Sequence, residues 1–256
     1  MLPTERPDRL SALVSRFELD VKPVERSQAN LVISRAPDAT VPQHVCFTPE
    51  DTVPLAADGQ RVVVFAARAR WGGTVNPLIN ALPAQLDLSI EDDSEMHSLT
   101  TLLVAEGVQR RCGADSVVNR LGEVLLVRLL RSLLSAGTAE VGLLGGLADP
   151  RLSAAIVAMH ERPGQAWRIE QLALEAGLST SRFADHFTRT VGQTPMAYLR
   201  NWRMVLARQD IEHGDRIQAI AARYGYASSE ALSRAFRRHF GHSPIALRPH
   251  VERHSA

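Results

Sequence analysis

The C-terminal part of the sequence contains an internal repeat. The stretch "RIEQLALEAGLSTSRFADHFTRTVGQTP" at 168–195 aligns with "RIQAIAARYGYASSEALSRAFRRHFGHSP" at 216–244. Apolar, glycine and proline positions recur first at an offset of 48 residues and, after one inserted residue, at an offset of 49. Because a duplicated segment folds twice into the same unit, this feature constrains the fold more than any other in the chain.

Each copy of the repeat predicts a short helix, a turn at glycine and a second helix. Gly177 and Gly225 suit the left-handed conformation that ends a helix, and Ser179 and Ser228 are placed to cap the next one. This is the layout of a helix-turn-helix, whose second helix enters the major groove of DNA. A generic duplicated helical bundle is the alternative, and it explains neither the caps nor the arginine content.

The segment between the two copies predicts a long helix over 195–212. At 1.5 Å per residue it would be about 27 Å long, and successive major-groove faces of B-DNA lie about 34 Å apart. A rigid helix of this length, together with the width of the modules, can hold both recognition helices on one face of a duplex. We therefore expect double-stranded DNA as the partner, contacted in the major groove over two successive turns.

The charge distribution agrees with this expectation but supports it only modestly. The net charge is +1, yet residues 160–256 hold 14 arginines, no lysine and nine acidic residues, while residues 1–159 hold 15 basic and 19 acidic residues. Arginine makes planar, bidentate contacts with phosphate and guanine. A solvated basic surface would give the same composition.

In the second recognition helix Leu232, Phe236 and Phe240 are expected to point inward, because they are spaced four residues apart. Arg234 is the first choice for a bidentate contact to guanine, and Arg237 and Arg238 suit phosphates. The DNA-binding candidates of this helix are Ser229, Glu230, Ser233, Arg234, Arg237 and Arg238.

In the first recognition helix Phe183 and Phe187 are the inward pair. The DNA-binding candidates are Ser181, Arg182, Asp185 and Arg189, with Arg189 directed at a phosphate. This surface has fewer donors, so we expect weaker base reading here. Three aromatic residues could stack on bases in another context but are predicted to be core at this spacing: Tyr198, Trp202 and Tyr224.

The N-terminal part changes from strand-like to helix-like patterns near residue 76. The stretches 29–35, 44–47 and 61–71 are short and β-branched and predict strands. The segment 115–135 predicts an amphipathic helix whose broad stripe includes Leu125, Leu129 and Leu133. So broad a stripe belongs either to a core or to a homodimer seam, and the small size of the preceding region slightly favours the seam. The glycine-containing segment 136–150 is the best candidate for an interdomain linker.

The stretches "GLSTSRFADHFTRTVGQTPMAYLRNWRMVLA" and "IAARYGYASSEALSRAFRRHFGHSPIALR" resemble the DNA-binding domain of the AraC/XylS family of bacterial transcription regulators. "RCGADSVVNRLGEVLLVRLLRSLL" and "VGLLGGLADPRLSAAIVAMHE" resemble the branch of that family with a cupin-type sensor. The resemblance implies an α+β chain. A cupin-like effector and dimerisation domain would occupy residues 1–140, and a domain with two helix-turn-helix motifs and a linker helix would occupy 150–256.

The resemblance also implies a sequence-specific, signal-responsive transcription regulator. A cytoplasmic location is expected because the N-terminus, "MLPTERPDRL", has charge and proline where a signal peptide would need an apolar stretch. Its partners would be DNA, a second copy of the chain bound through the helix at 115–135, a small-molecule effector and, for an activator, RNA polymerase. Another hypothesis is a regulator with a degenerate sensor that binds nothing and responds only through oligomerisation.

The sequence departs from the family pattern in three places. The region before residue 75 is short for a complete cupin, so we expect a reduced or incomplete barrel. Thr52, Val53 and Pro54 stand where a histidine commonly follows a proline. Ala184 and Asp185 stand where basic or hydrogen-bonding residues are common, so Asp185 must accept from a cytosine amino group or pair with an arginine.

The residues with reactive or metal-binding side chains form no convincing catalytic pattern. His44 and Cys46 lie two apart in a predicted strand and face the same way, but no third ligand stands near them. We therefore predict a non-enzyme with no cofactor and no metal, in which Cys46 and Cys112 are buried free thiols. A metal-dependent cupin enzyme fused to a DNA-binding module is the alternative. No run of 18 apolar residues is present, and the charged N-terminus is unlike a signal peptide, so no membrane partner is expected.

Overall fold

The computed structural model describes residues 8–50, 61–72, 76–136 and 141–247. Contacts divide the chain into two compact units, one formed by residues 13–139 and the other by residues 1–12 together with 140–256. The departure noted at residues 52–54 lies outside the described residues. In the described ranges, no helix has the length and apolar character needed to cross a membrane.

The unit formed by residues 13–139 is built on a five-stranded antiparallel sheet. After a short helix α1 (Ser11–Val14), its strands are β1 (Leu19–Pro23), β2 (Leu31–Arg35), β3 (His44–Phe47), β4 (Val62–Trp71) and β5 (Leu86–Ser89), arranged in the order β1-β4-β2-β3-β5. The three predicted strands are confirmed as β2, β3 and β4. Sequence reasoning missed β1 and β5, which are short edge strands interrupted by charged residues. Over the described residues these two strands pair on one side only, so the sheet is open.

Two helices cover one face of the sheet, α2 (Ser94–Gln109) and α3 (Ala114–Ala136). Alternate residues of the strands face them, as period-two patterning requires, and Leu31 and Ile33 are fully buried on that side. The helices approach closely because glycine stands at the contact. A Cβ on Gly107 would lie 2.6 Å from the ring of Phe65, and one on Gly122 would lie 2.7 Å from the Val21 side chain.

The apolar stripe of α3 belongs to the core of its own unit. Leu125 is fully buried and Leu129 is 3% exposed, and both pack in the cluster that joins the helices to the sheet. The interpretation of Leu125 and Leu129 as a dimer seam is therefore wrong. The five-stranded sheet presents more apolar surface than the sequence suggested, because β1 and β5 extend it, and it covers the centre of the stripe. Leu133, the third residue of the predicted seam, is half-buried.

The C-terminal unit is helical and reproduces the repeat. Its helices are α4 (Leu143–Ala148), α5 (Pro150–Glu161), α6 (Ile169–Glu175), α7 (Thr180–Val191), α8 (Pro195–Glu212), α9 (Ile217–Arg223) and α10 (Ser229–Phe240), followed by a 3-10 turn (Pro244–Leu247). Helix α6 maps onto α9 at an offset of 48, and α7 maps onto α10 at an offset of 49. Helix α8 has the bounds predicted for the joining helix. The tandem helix-turn-helix prediction is confirmed at the level of fold.

The prediction of a linker over 136–150 is wrong for residues 143–148, which form helix α4. Leu144 is 1% exposed and Leu147 is fully buried, and α4 packs against α5 and α7. The glycine content misled the sequence analysis, because Gly145 and Gly146 are buried helix residues here. The first described residues also join this unit, since the Arg9 guanidinium donates to the carbonyls of Leu147 and Ala148 at 3.0 and 3.3 Å.

The aromatic residues predicted as core are buried. Tyr224 is fully buried, and Tyr198 and Trp202 are 5% and 2% exposed. His160 at the end of α5 joins them, with its Nε2 atom 2.5 Å from the Tyr198 hydroxyl. Burial lowers the pKa of His160 to about 3, so the imidazole is neutral and part of the apolar core.

We predict that residues 140–256 fold more stably than residues 150–256. The shorter fragment lacks the buried leucines of α4, each of which contributes about 1.5–3 kcal/mol, so its melting temperature should fall by roughly 10 °C or more. Thermal unfolding of both fragments, followed by circular dichroism at 222 nm, measures the difference. Equal melting temperatures would contradict the assignment of α4 to this unit.

Candidate nucleic-acid interface

The turns that set the recognition helices have the same backbone geometry in both modules. Gly177 and Gly225 are left-handed, with φ of 62° and 73°. The N–H after each glycine bonds back to the preceding helix, from Leu178 to the Ala173 carbonyl at 2.9 Å and from Tyr226 to the Ala221 carbonyl at 2.8 Å. This pattern satisfies the last carbonyls of α6 and α9 and turns the chain sharply toward α7 and α10.

The second turn is more tightly enclosed than the first. A Cβ on Gly225 would lie 2.6 Å from the carbonyl oxygen of Gly164, whereas a Cβ on Gly177 would meet nothing within 4 Å. Gly225 is therefore required by close packing as well as by its φ angle.

The caps of the two recognition helices differ. The Ser228 hydroxyl accepts a hydrogen bond from the Ala231 N–H at 3.2 Å, as predicted. Ser179 occupies the matching position but makes no side-chain cap bond, so the prediction for Ser179 is wrong. Of the two recognition helices, α10 alone has its first turn fixed by a side-chain cap.

Helix α10 buries one side and exposes the other. Leu232 and Phe236 are fully buried, and Phe240 is half-buried with the Arg208 guanidinium 5.3 Å from the centre of its ring. Arg234 and Arg238 lie opposite the buried residues, and the other predicted DNA-binding residues lie between these two sides. The exposed ones are Glu230, Arg234, Arg237 and Arg238, and the half-buried ones are Ser229 and Ser233.

The exposed arginines of α10 differ in their partners from three arginines of this unit that form ion pairs, Arg162, Arg208 and Arg223. Within the described ranges, no carboxylate lies at ion-pair distance from Arg234, Arg237 or Arg238. By contrast, Arg223 bridges Asp210 and Asp215 at 2.6 and 2.8 Å. The charges of α10 are thus available to an anion outside the chain.

A shallow cavity of about 400 Å³ lies on this exposed side. Its polar wall comes from α10 and its apolar wall from Ile217 and Ile245, the latter 70% exposed. A hydrogen bond from the Ser228 hydroxyl keeps the pKa of Glu230 below its ordinary value, so that carboxylate is an acceptor at neutral pH. The surface therefore offers donors, one acceptor and apolar contacts together, as base edges require.

Helix α7 exposes its predicted candidates, but with fewer charges. Ser181, Arg182, Asp185 and Arg189 are all exposed, while Phe183 and Phe187 are fully buried beneath them. No arginine in the described part of the chain lies at ion-pair distance from the Asp185 carboxylate, and the Arg189 Nε–H reaches only the Asp185 backbone carbonyl, at 3.4 Å. Of the two roles predicted for Asp185, pairing with an arginine is not observed.

Sequence reasoning missed a contact at the edge of this surface. The Nε2 atom of His186, on α7, lies 2.6 Å from the Asp149 carboxylate at the start of α5. The sequence does indicate that Asp149 begins a helix, since an aspartate before a proline is typical of a helix start. Nothing in the sequence connects that aspartate with a histidine 37 residues later.

In the N-terminal unit, His44 and Cys46 lie two residues apart on β3, which pairs with β2 and β5. They therefore share a face of the sheet, as predicted. Cys46 is buried, and burial together with the nearby Asp87 raises its pKa to about 12. Arg61 holds Asp87 at 2.9 Å, and His44 Nδ1 lies 4.0 Å from the same carboxylate. Over the described ranges, no three histidine, cysteine or acidic side chains come together as a metal site would need. Cys112 is exposed, which corrects its prediction as a buried thiol.

Comparison with known proteins matches both units. A helix-turn-helix domain model matches residues 172–250, and a cupin model matches residues 19–135. A putative AraC-like transcription regulator of Streptomyces lividans is 32% identical over 206 residues, covering 78% of this chain and 68% of that protein. The HTH-type transcriptional regulator AlkR of Acinetobacter baylyi is 34% identical over 174 residues, covering 66% of this chain and 57% of that protein.

Among solved structures, an AraC-type DNA-binding regulator from Chromobacterium violaceum is 25% identical. It covers 39% of this chain and 89% of the other, with a TM-score of 0.37. The chain spans between about half and two thirds of the length of the first curated relatives that it matches.

We predict that Ser228→Ala destabilises the C-terminal unit by about 1 kcal/mol, because it removes an observed cap. Ser179→Ala is the matched control and should have less than half that effect. Urea unfolding of residues 140–256 carrying each change measures both values. Equal losses would show that the two helix starts are held alike in solution.

Proposed function

Because this chain belongs to the family of AraC-like transcription regulators, we propose that it binds specific double-stranded DNA sequences through α7 and α10. The observation that carries the proposal is the set of arginines on the exposed side of α10. Among the described residues no carboxylate lies at ion-pair distance from them, whereas Arg162, Arg208 and Arg223 of the same unit are paired. Phosphate and guanine supply the planar, anionic or electronegative partners that such arginines bind best.

The spacing of the two modules supports binding over two successive major grooves. Helix α8 has 18 residues and joins one module directly to the other, giving a rigid rod of about 27 Å. With the width of the modules added, we expect the two recognition helices to match the separation of about 34 Å between successive grooves on one face of DNA.

Different side chains on α10 have different roles in this proposal. Arg234 lies in the first half of the helix beside Ser233 and Glu230, where base edges are read. It makes the bidentate contact to guanine in this proposal. Arg237 and Arg238 lie a turn further on and hold phosphates. On α7, Arg182 and Ser181 face bases and Arg189 a phosphate, while Asp185 accepts from a cytosine amino group.

The N-terminal unit is proposed as the signal-receiving part, with a small molecule as its effector. The chain has no catalytic role in this proposal. It works where chromosomal DNA lies, in the cytoplasm, and RNA polymerase is a further partner if transcription is activated.

We also propose that two copies pair through the outward side of α3 rather than through its buried stripe. Val117 and Val124, seven residues apart, are 40% and 50% exposed on one side of the helix. A twofold contact centred near Val124 would place two DNA-binding units on one operator.

The DNA-binding proposal is tested by comparing Arg234→Ala with Arg238→Ala. Arg234→Ala should relax base preference and weaken binding to the selected site by about 1–3 kcal/mol. Arg238→Ala should weaken binding to all sequences comparably and reduce the salt dependence by roughly one phosphate contact.

These effects are measured by titrations of full-length protein into its selected duplex and a scrambled duplex at several salt concentrations. Identical behaviour of the two variants would remove the distinction between base and phosphate contacts. A wild-type protein that selects no sequence from a random duplex pool would overturn the proposed function itself.

The dimer proposal is tested by Val124→Glu, with Leu129→Glu as a matched control on the same helix. Val124→Glu should give a folded monomer with weaker operator binding, because its charge faces solvent once the partner leaves. Leu129→Glu should unfold the N-terminal unit, because it places a carboxylate in the core. Light scattering and thermal unfolding distinguish these results, and a Val124→Glu protein that remains dimeric would refute the contact.

A further inference from the structure

One flank of the first recognition helix is fastened to helix α4 and to the junction of α4 with α5. His186 Nε2 lies 2.6 Å from Asp149 Oδ2, a distance at which an imidazole N–H donates to a carboxylate. One turn further on, the carbonyl of Thr190 accepts from the Gly142 N–H at 2.8 Å. Both contacts are made from the flank of α7 that adjoins the side carrying Arg182 and Arg189.

Asp149 is itself rigidly held, so it provides a fixed point for His186. Its carboxylate accepts from the N–H groups of Arg151 and Leu152 at 2.8 and 3.1 Å and so caps α5. Partial burial opposes its charge, but the hydrogen bonds from Leu152, His186 and Arg151 outweigh burial and lower the pKa of Asp149. Helix α5 is anchored in turn, because Leu152 and Ile156 are fully buried.

Helix α4 lies close behind the end of α7 because Gly146 has no side chain. A Cβ at this position would lie 2.7 Å from Ile156 Cδ1 and 2.8 Å from Val191 Cγ2. Any larger residue would push α4 away from α5 or from the last residue of α7. The contact therefore depends on a buried glycine as well as on the hydrogen bonds.

Among the described residues, the second recognition helix has no equivalent contact. The residue of α10 that corresponds to His186 at the offset of 49 is Ala235, which has no polar group in its side chain. Helix α10 packs against α8, α9 and the 3-10 turn that follows it. It has the Ser228 cap that α7 lacks, so the two helices are positioned by different means.

We propose that Asp149 and His186 are positioning residues for DNA reading: their hydrogen bond, supported by α4, sets the orientation of α7 in its major groove. The base preference of one half of the binding site then depends on a pair that need not touch DNA. This inference rests on the proposed DNA binding and adds a residue pair to it. A small rotation of α7 moves Arg182 and Arg189 relative to base edges and phosphates, which is enough to lose a bidentate contact.

The experiment uses the full chain and a pool of duplexes with 30 random base pairs. Selection with the wild type should give two blocks of preferred bases about one helical turn apart. Arg182→Ala identifies the block read by α7, and Arg234→Ala identifies the block read by α10. Asp149→Ser keeps a capping oxygen on α5 but is too short to reach His186, and His186→Ala removes the imidazole.

Both variants should lower base preference in the α7 block by about three- to tenfold and leave the α10 block unchanged, as expected for one charge-assisted hydrogen bond. The double variant should be no worse than either single variant, because the two side chains act as one pair. His186→Gln keeps an N–H donor and should restore much of the preference. Melting curves check that each variant is folded. If His186→Ala is unfolded, Asp149→Ser alone provides the test.

Two results would overturn the inference while leaving the proposed function standing. One is a folded Asp149→Ser protein with both blocks unchanged. The other is an equal loss in both blocks, which would mean that the pair supports the unit as a whole. Failure of the wild type to select any sequence would overturn the proposed function, and the inference with it.

Discussion

The DNA-facing surface depends on how the chain turns between the two helices of each module. A left-handed glycine, Gly177 or Gly225, ends the first helix, and the next N–H bonds back to its third-last residue. This geometry fixes the direction of α7 and α10 before any side chain is considered. Phe183, Phe187, Leu232 and Phe236 then fill the space beneath the recognition helices, and their burial leaves the arginines on the opposite side. The charge of the surface is thus a consequence of the turn and the aromatic packing.

A similar close contact organises the N-terminal unit. Gly107 and Gly122 let α2 and α3 lie directly on the sheet, against Phe65 and Val21. The centre of the broad apolar stripe of α3 is buried by this packing. The large apolar residues of α3 that stay exposed are Val117 and Val124. The same helix therefore has one side in the core and another exposed to solvent. In both units a residue without a side chain decides how near two elements come.

Most of the C-terminal fold could be predicted from the sequence because local rules and a duplication agree there. Glycine, cap and proline positions recur, so each module confirms the interpretation of the other, and the bounds of α8 follow directly. The sequence was misleading at 143–148, where glycine suggests a linker but serves close helix packing. Strands β1 and β5 were missed since edge strands carry a weaker apolar alternation. The Asp149–His186 contact was out of reach because it joins residues that only tertiary packing brings together.

The inserted residue of the second module has a consequence for the kind of DNA sequence this chain can recognise. Helix α7 begins three positions after Gly177, and helix α10 begins four positions after Gly225. Helix α10 therefore starts one residue later relative to its turn. Two identical readers in tandem would demand a direct repeat in the operator. Helices α7 and α10 are equal in length but differ in their side chains and in the turn before them, so the proposed DNA binding implies two dissimilar half-elements in a fixed order under each copy of the chain.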